Sequence, residues 1–138
     1  MSTKQVIVMR NDLGMRKGKM IAQGAHASLA FMSRRVQASM EKKTFNLARY
    51  VRLSDFVELS EAEKEWIQSS FAKVCVRVDS LGELWEIQLK AEEAGLEVHL
   101  ITDSGKTEFH GEPTPTCLAI GPDYSENIDP ITGHLKLL

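Results

Sequence analysis

The sequence predicts an α/β fold in which a β-sheet is covered by helices on both faces. Short β-branched or apolar runs recur at Gln5–Met9, Lys73–Val78, Val98–Thr102 and Cys117–Gly121. Segments with helical spacing separate the first three, and such alternation of strand and helix is the signature of a helix-covered sheet. The joints between elements carry turn and capping residues, with no repeat, low-complexity tract or linker long enough to divide domains. With 138 residues, 43% of them hydrophobic and 26% charged, the chain has the size and composition of one globular domain. No apolar run approaches the roughly 20 residues of a membrane span. The leading MSTKQVIVMRND lacks the apolar core and cleavage site of a secretory signal, so a cytoplasmic location is expected.

Element by element, Gln5–Met9 (QVIVM) reads as a buried strand and Asn11–Gly14 as a turn. A helix is expected from about Gly18 toward Met32 or beyond. Gly18, Ala22, Ala25 and Leu29 line one of its faces, and small residues there predict close packing on the sheet. Lys19, Gln23 and His26, spaced i, i+4 and i+7, share another face. Ser33–Arg52 keeps a helical pattern, with Val36, Met40, Leu47 and Val51 as an apolar stripe. Arg35, Lys42 and Arg49 recur every seven residues, and a break is expected near Ser39 or Thr44. Ser60 with Glu63 predicts a capping box before a short helix carrying Trp66 and Ile67. After the strand Lys73–Val78, Ser80 with Glu83 repeats the box, and Gly95 stops that helix as a left-handed cap. The strands Val98–Thr102 and Cys117–Gly121 are joined by a polar connector holding Gly111, Pro113 and Pro115. Cys75 and Cys117 lie in apolar runs without metal-type spacing and are expected to be buried, reduced thiols.

The charge is unevenly spread. Residues 1–52 hold 11 of the 17 Lys+Arg but only Asp12 and Glu41 of the 19 acids. The net charge of −2 therefore hides a basic half and an acidic half, which suggests nucleic acid or another polyanion against one face. The alternative is that the two halves neutralise each other across the fold. Arg16, Lys17 and Lys19 fall where a helix should begin, although the positive end of the helix dipole disfavours cations. A compensating anion is needed there, and free N–H groups beside cations make a phosphate site.

In open α/β sheets ligands bind beyond the carboxyl ends of strands. Arg10-Asn11-Asp12 follows the first strand, and Asp103-Ser104-Gly105-Lys106-Thr107 follows the third. If those strands are parallel, a carboxylate, a hydroxyl and several cations converge at one edge. Neither Gly105-Lys106 nor Gly18-Lys19 satisfies the phosphate-loop pattern, because Leu100 and Leu13 stand where its first glycine is required. His26, His99, His110 and His134 show no metal-ligand spacing, so no metal is expected, and no serine or cysteine sits in a nucleophile elbow.

These residues resemble the archaeal and eukaryotic-type peptidyl-tRNA hydrolases, the second of two unrelated families with that activity. The matching blocks are Arg10-x-Asp12-Leu13-x-Met15-x-x-Gly18-Lys19, Ala22-Gln23-x-x-His26-Ala27 and Asp103-x-Gly105-x-Thr107. Thr116-x-Leu118-Ala119-Ile120-Gly121-Pro122 follows, then Asp129 with Thr132-Gly133-His134-Leu135. The resemblance covers residues 4–32 and 73–138. It implies a single mixed four-stranded sheet sandwiched between helices, a three-layer α/β/α domain over residues 1–138, with a longer helical insertion at about 33–72. It also implies hydrolysis of the ester joining a peptide to the 3′-terminal adenosine of tRNA, no cofactor or metal, and commonly a homodimer. By motif, the family's catalytic positions are Lys19, His26, Asp103, Thr107 and Thr116. Arg10, Arg16, Lys17, Gln23 and Lys106 are candidates for contact with tRNA, and Arg34, Arg35, Lys42 and Lys43 for extending that surface. Ester hydrolysis needs an activated water and donors for the tetrahedral oxyanion. Asp103 is a candidate base, Lys19 a candidate for offsetting negative charge, and the two threonines candidates for positioning water; the spacing does not single out the base. The competing readings are a non-catalytic RNA-binding or regulatory module and, third, a structural oligomerisation domain.

Overall fold

The computed structural model describes residues 1–42 and 50–138. In chain order these form β1 (Thr3–Arg10), α1 (Lys17–Lys42), α2 (Glu61–Gln68), β2 (Lys73–Val78), α3 (Leu81–Glu93), β3 (Val98–Asp103), β4 (Thr114–Tyr124) and α4 (Ser125–Thr132). Short 3₁₀ turns lie at Leu53–Asp55 and Phe109–Gly111. The strands make one mixed sheet in the order β2-β1-β4-β3. β1 and β2 are parallel, with Val6 opposite Val74 and Arg10 opposite Val78. β4 is antiparallel to both β1 and β3, placing Val8 and Leu100 on either side of Leu118. β1 and β3 therefore run the same way with β4 between them, and their carboxyl ends share one edge.

Alternation along each strand divides the interior into two cores. Val6, Val8, Val76, Val78, Leu118 and Ile120 face α3 and α4, meeting Leu84, Ile87, Ala91, Ile128 and Ile131. Ile7, Met9, Ile101, Cys117 and Ala119 face α1, meeting Ala27, Ala30 and Met15. The result is the expected three-layer arrangement. Ser60 and Glu63 form the full capping box at α2. At α3 Ser80 caps the Glu83 amide, but the Glu83 carboxylate reaches the Asp79 N–H instead of that of Ser80. The helix ends as predicted: Gly95 has φ +75° and donates to Glu92, while Leu96 donates back to Ala91.

Two expectations are corrected. Gly18, Ala22, Ala25 and Leu29 do not face the sheet; they are exposed, Leu29 by 59%. The inward face of α1 is Gln23, Ala27, Ala30 and Phe31. Small side chains suggested close packing, yet the helix is turned so that the Gln23 amide finds buried partners. Cys75 is exposed, because β2 is an edge strand and Lys73 and Cys75 point to a side that no helix covers. α4 lies in a stretch to which the sequence reading assigns no element, and it carries Pro130, which removes a donor from its middle. Burial of Ile128 and Ile131 in the core compensates. α1 passes Ser39 without a break; Lys43, Thr44, Leu47 and Arg49 lie outside the described residues.

Candidate active site

Two loops and a strand start meet at the shared edge. β1 ends at Arg10, whose neighbour Asn11 donates its N–H to Val78 at 2.8 Å, and the turn through Gly14 delivers the chain to α1. Lys19, in the first turn of α1, therefore points along the edge toward the end of β3. β3 delivers Asp103, and β4 begins beside it with Thr114, Pro115 and Thr116.

Asp103 is the hub. Its Oδ1 accepts from Lys19 Nζ at 2.8 Å and from Gln23 Nε2 at 3.3 Å, and its Oδ2 accepts from the Gly105 N–H at 2.9 Å. Lys19 also donates to Thr107 Oγ1 at 3.1 Å. Behind this layer the wholly buried Thr116 donates to Gln23 Oε1 at 2.5 Å, and Cys117 Sγ donates to the Gln23 carbonyl at 3.4 Å. The Lys19–Asp103 pair is mostly withdrawn from solvent, at 16% and 12% side-chain exposure, while Thr107 is open. Gly105 is required where it stands: its φ is +82°, and a Cβ there would lie 2.3 Å from the Glu112 carbonyl oxygen. The loop that crosses it returns the chain to β4 through Phe109 and His110, both with positive φ.

Lys19 supplies the leading interaction that holds the Asp103 carboxyl below the usual aspartate range, followed by the Gly105 N–H; Gln23 adds a smaller contribution. Asp103 is thus ionised at neutral pH and Lys19 is its counter-ion. The anion demanded by a cation at this helix start is supplied from β3. Counting hydrogen-bond sites shows what remains for a ligand. Each carboxylate oxygen accepts about two bonds, so Oδ1 is filled and Oδ2 has one acceptor position open. The ammonium has a third N–H, and the Thr107 hydroxyl, which accepts from Lys19, still has its own proton to donate. The cluster offers one acceptor beside two donors.

The other candidates are placed differently. Arg10 is buried, donating from Nε and Nη2 to both Asp12 carboxylate oxygens at 3.1 and 2.7 Å and from Nη1 to the Pro115 carbonyl at 3.1 Å. This staples the turn before α1 to the start of β4. Arg16, Lys17 and Lys106 are exposed around the edge. His26 is also exposed, further along α1, and takes part in none of the hydrogen bonds or ion pairs found among the described residues. Arg34 donates to the Leu100 carbonyl at 2.8 Å and to His99 Nδ1 at 3.0 Å. Arg35 grips both Glu63 oxygens, at 2.9 and 2.7 Å, and also Glu97, so part of the basic half is neutralised by the acidic half. Among the described residues no group of three or more His, Cys, Asp or Glu side chains is disposed to hold a metal. Sequence reasoning missed the Gly105 N–H as a partner of Asp103, although Asp-x-Gly is the spacing of a side chain that bonds the backbone two residues on.

Comparison with known proteins decides the family. The family model for peptidyl-tRNA hydrolase PTH2 matches residues 3–138. The chain belongs to the PTH2 family. It is 43% identical over 136 residues to the peptidyl-tRNA hydrolase of Methanocaldococcus jannaschii, covering 98% of this chain and 99% of that one. The peptidyl-tRNA hydrolases of Methanothermobacter thermautotrophicus and Aeropyrum pernix are 40% and 42% identical, each over 135 residues, with 99% and 94% of the relative covered. Coverage of this chain is 98% and 97% in those two cases. Among solved structures, a protein of unknown function from Agrobacterium tumefaciens shares the fold at a TM-score of 0.52 and 15% identity. That match covers 100% of this chain and 98% of the other. The hub residues Lys19, Gln23, Asp103, Thr107 and Thr116 all lie within the span matched by the PTH2 model.

Proposed function

We propose that this PTH2 member hydrolyses the ester between peptide and tRNA at the cluster of Asp103, Lys19 and Thr107. The observation that carries this reading is the one open acceptor on Asp103 flanked by two open donors. Hydrolysis by water asks for that complement. Asp103 Oδ2 orients a water and receives its proton as the oxygen attacks the ester carbonyl. Lys19 and Thr107 donate to the oxyanion that forms. Collapse of the tetrahedral intermediate breaks the bond to the ribose oxygen, and the proton held by Asp103 passes to that oxygen. A carboxylate with a depressed pKa is a weak base, so orienting the water is a large part of its contribution, beside the charge stabilisation that Lys19 supplies.

The exposed cations Arg16, Lys17 and Lys106 around the same edge are suited to tRNA phosphates, whereas Arg10 is buried, paired with Asp12 and the Pro115 carbonyl, and supports the site from behind. His26, exposed about one turn beyond Gln23 on α1, is open to the substrate. The comparisons do not favour a binding-only module. The enzyme acts in the cytoplasm, where peptidyl-tRNA is produced. It does so as a homodimer joined through an apolar groove of about 680 Å³ between α1, α2 and β2, where Ile21, Leu29 and Phe71 are exposed. The direct test is release of free tRNA from a purified peptidyl-tRNA. Asp103→Asn, nearly isosteric, is expected to lower kcat by about 10²–10⁴ while the protein stays folded. Wild-type kcat in that variant would remove Asp103 from the chemistry.

A further inference from the structure

We infer that Thr116 is a positioning residue, acting on Asp103 through the side-chain amide of Gln23 and not by touching the substrate. The inference rests on the assignment of Asp103 to the reaction proposed above. Thr116 is wholly buried and Gln23 is 3% exposed, so neither hydroxyl nor amide oxygen is open to a ligand. The orientation of the amide follows from its two neighbours. Asp103 is ionised and accepts only, so the end of Gln23 that faces it at 3.3 Å must be the NH₂ group. The amide oxygen then faces Thr116, whose hydroxyl must donate to it, and the 2.5 Å separation fits that bond. The competing acceptor for that proton, the Ile101 carbonyl, is further away at 3.4 Å. Reversing the amide would set its oxygen against the carboxylate and leave two acceptors facing each other. Thr116 thus selects the one amide orientation that gives Asp103 its third donor.

The backbone does not depend on that hydroxyl. The start of β4 is held by Arg10 on the Pro115 carbonyl, and α1 is tied to β4 by Cys117 on the Gln23 carbonyl. Burial pushes the Cys117 thiol up to about 11, so it stays protonated and keeps donating. Removing the Thr116 hydroxyl therefore strands the Gln23 oxygen in a buried site without loosening the frame. The amide turns away, and Asp103 loses one of the donors that favour its charged form.

Thr116→Val removes the hydroxyl at almost constant shape. It should lower kcat about tenfold, the rate equivalent of one net hydrogen bond, with KM unchanged and the acid limb of kcat/KM displaced to higher pH. Thr116→Ser, which keeps the donor, should recover most of the rate and return the limb. Gln23→Met, cutting the link at its other end, should match Thr116→Val, and the double variant should be no slower than either single one. A Thr116→Val enzyme with the wild-type rate and limb overturns the inference. So does a loss expressed in KM with the limb unmoved, or losses at Thr116 and Gln23 that add. Should Thr116→Val fail to fold, the limb in Gln23→Met decides. Asp103→Asn, run alongside, separates the two levels: if it is inert, the assignment of Asp103 fails; if it is inactive while Thr116→Val is unaffected, only the relay fails.

Discussion

The two flanks of α1 contrast sharply although they belong to one helix on one face of the sheet. Toward β3 and β4, the helix presents Lys19 and Gln23, and both are withdrawn from water because each finds charged or hydrogen-bonding partners on other elements. Toward β2, it presents Met20, Ile21, Gly24, Ala25 and Leu29, which line an apolar groove with Phe71, Cys75 and Leu138. Polar groups are thus buried on one side and apolar groups left open on the other. Buried polar groups cost little once their partners are in place, so the polar flank can be a rigid site whose open positions are only those that face the ligand. An open apolar flank of this kind retains a free energy that only a covering surface can release. The difference teaches that the buried face of α1 joins Gln23 to Ala27, Ala30 and Phe31, while Gly18, Ala22, Ala25 and Leu29 stay outside.

The largest effect that would break this contrast is expected at Lys19. Lys19→Met keeps the length of the side chain but removes a donor to the oxyanion, and kcat should fall by about 10²–10³, the usual loss for such a donor. It also takes away the leading interaction that depresses the Asp103 pKa, so the acid limb of the rate profile should move to higher pH. A rate profile in which neither plateau nor limb changes would make Lys19 a surface cation.

Next comes the far end of the same helix, where stability and not chemistry should respond. Arg35 is held by the Glu63 carboxylate, which is buried to 2% exposure, by Glu97, and at the Glu58 carbonyl. Glu63 raises the affinity of Arg35 for its proton above the usual arginine value. Glu63→Gln leaves a buried cation partly uncompensated and should cost about 2–3 kcal/mol, less than a fully buried pair because Arg35 is 27% exposed. Denaturant unfolding would measure it, with kcat unchanged. The sign of the acid response follows from Glu97. Burial alone would raise its pKa, but the hydrogen bond from His99 and the charge of Arg35 together bring it below the ordinary glutamate value. That contribution is therefore complete above about pH 4.3 and is lost as pH falls through the lower folded value. Stability that declined between pH 8 and 6 and not below 4 would contradict it.

The apolar flank gives a smaller effect on a different observable. Ile21→Lys with Leu29→Lys places two cations in the groove, at positions exposed by 67% and 59% in the single chain. Dimer dissociation, followed by sedimentation, should become at least tenfold easier, while turnover per chain stays the same. A protein already monomeric at high concentration would leave the groove without its proposed partner.

How much of this was legible in the sequence depended on the range of the interaction. Capping at Ser60, the stop at Gly95 and the strand Lys73–Val78 are set by neighbours in the chain, and they were readable. The meeting of Lys19 with Asp103 was readable only through strand direction, because the loop ends become one edge only if β1 and β3 run the same way. The rotation of α1 was not readable: the partner that meets Gln23 is Thr116, 93 residues further on, and a glutamine on a helix offers no local sign that it will be buried. Cys75 misled for a related reason, since an apolar strand does not announce that one of its sides lacks a helix. α4 was assigned no element, and Pro130 inside it gives a local signal against a helix that the burial of Ile128 and Ile131 offsets.

The smallest expected effect separates the cations at the site from those behind it. Arg16, Lys17 and Lys106 are exposed, whereas the Arg10 guanidinium is buried and engaged by three hydrogen bonds to Asp12 and Pro115. Each phosphate contact releases counterions, so removing one should lower the dependence of log affinity on log salt by about one and weaken binding alike for all tRNAs. Lys17→Ala and Lys106→Ala should each do so, with kcat preserved at saturating substrate. Arg10→Ala should leave the salt slope as it is, because a guanidinium committed to Asp12 and Pro115 displaces no counterions from the nucleic acid. Its cost should appear instead as lost stability and a lower kcat, since the staple between the turn before α1 and the start of β4 is gone. A reduced slope in Arg10→Ala would show that this arginine exchanges its internal partners for phosphate when tRNA binds, and the boundary between support and contact would then move inward by one residue.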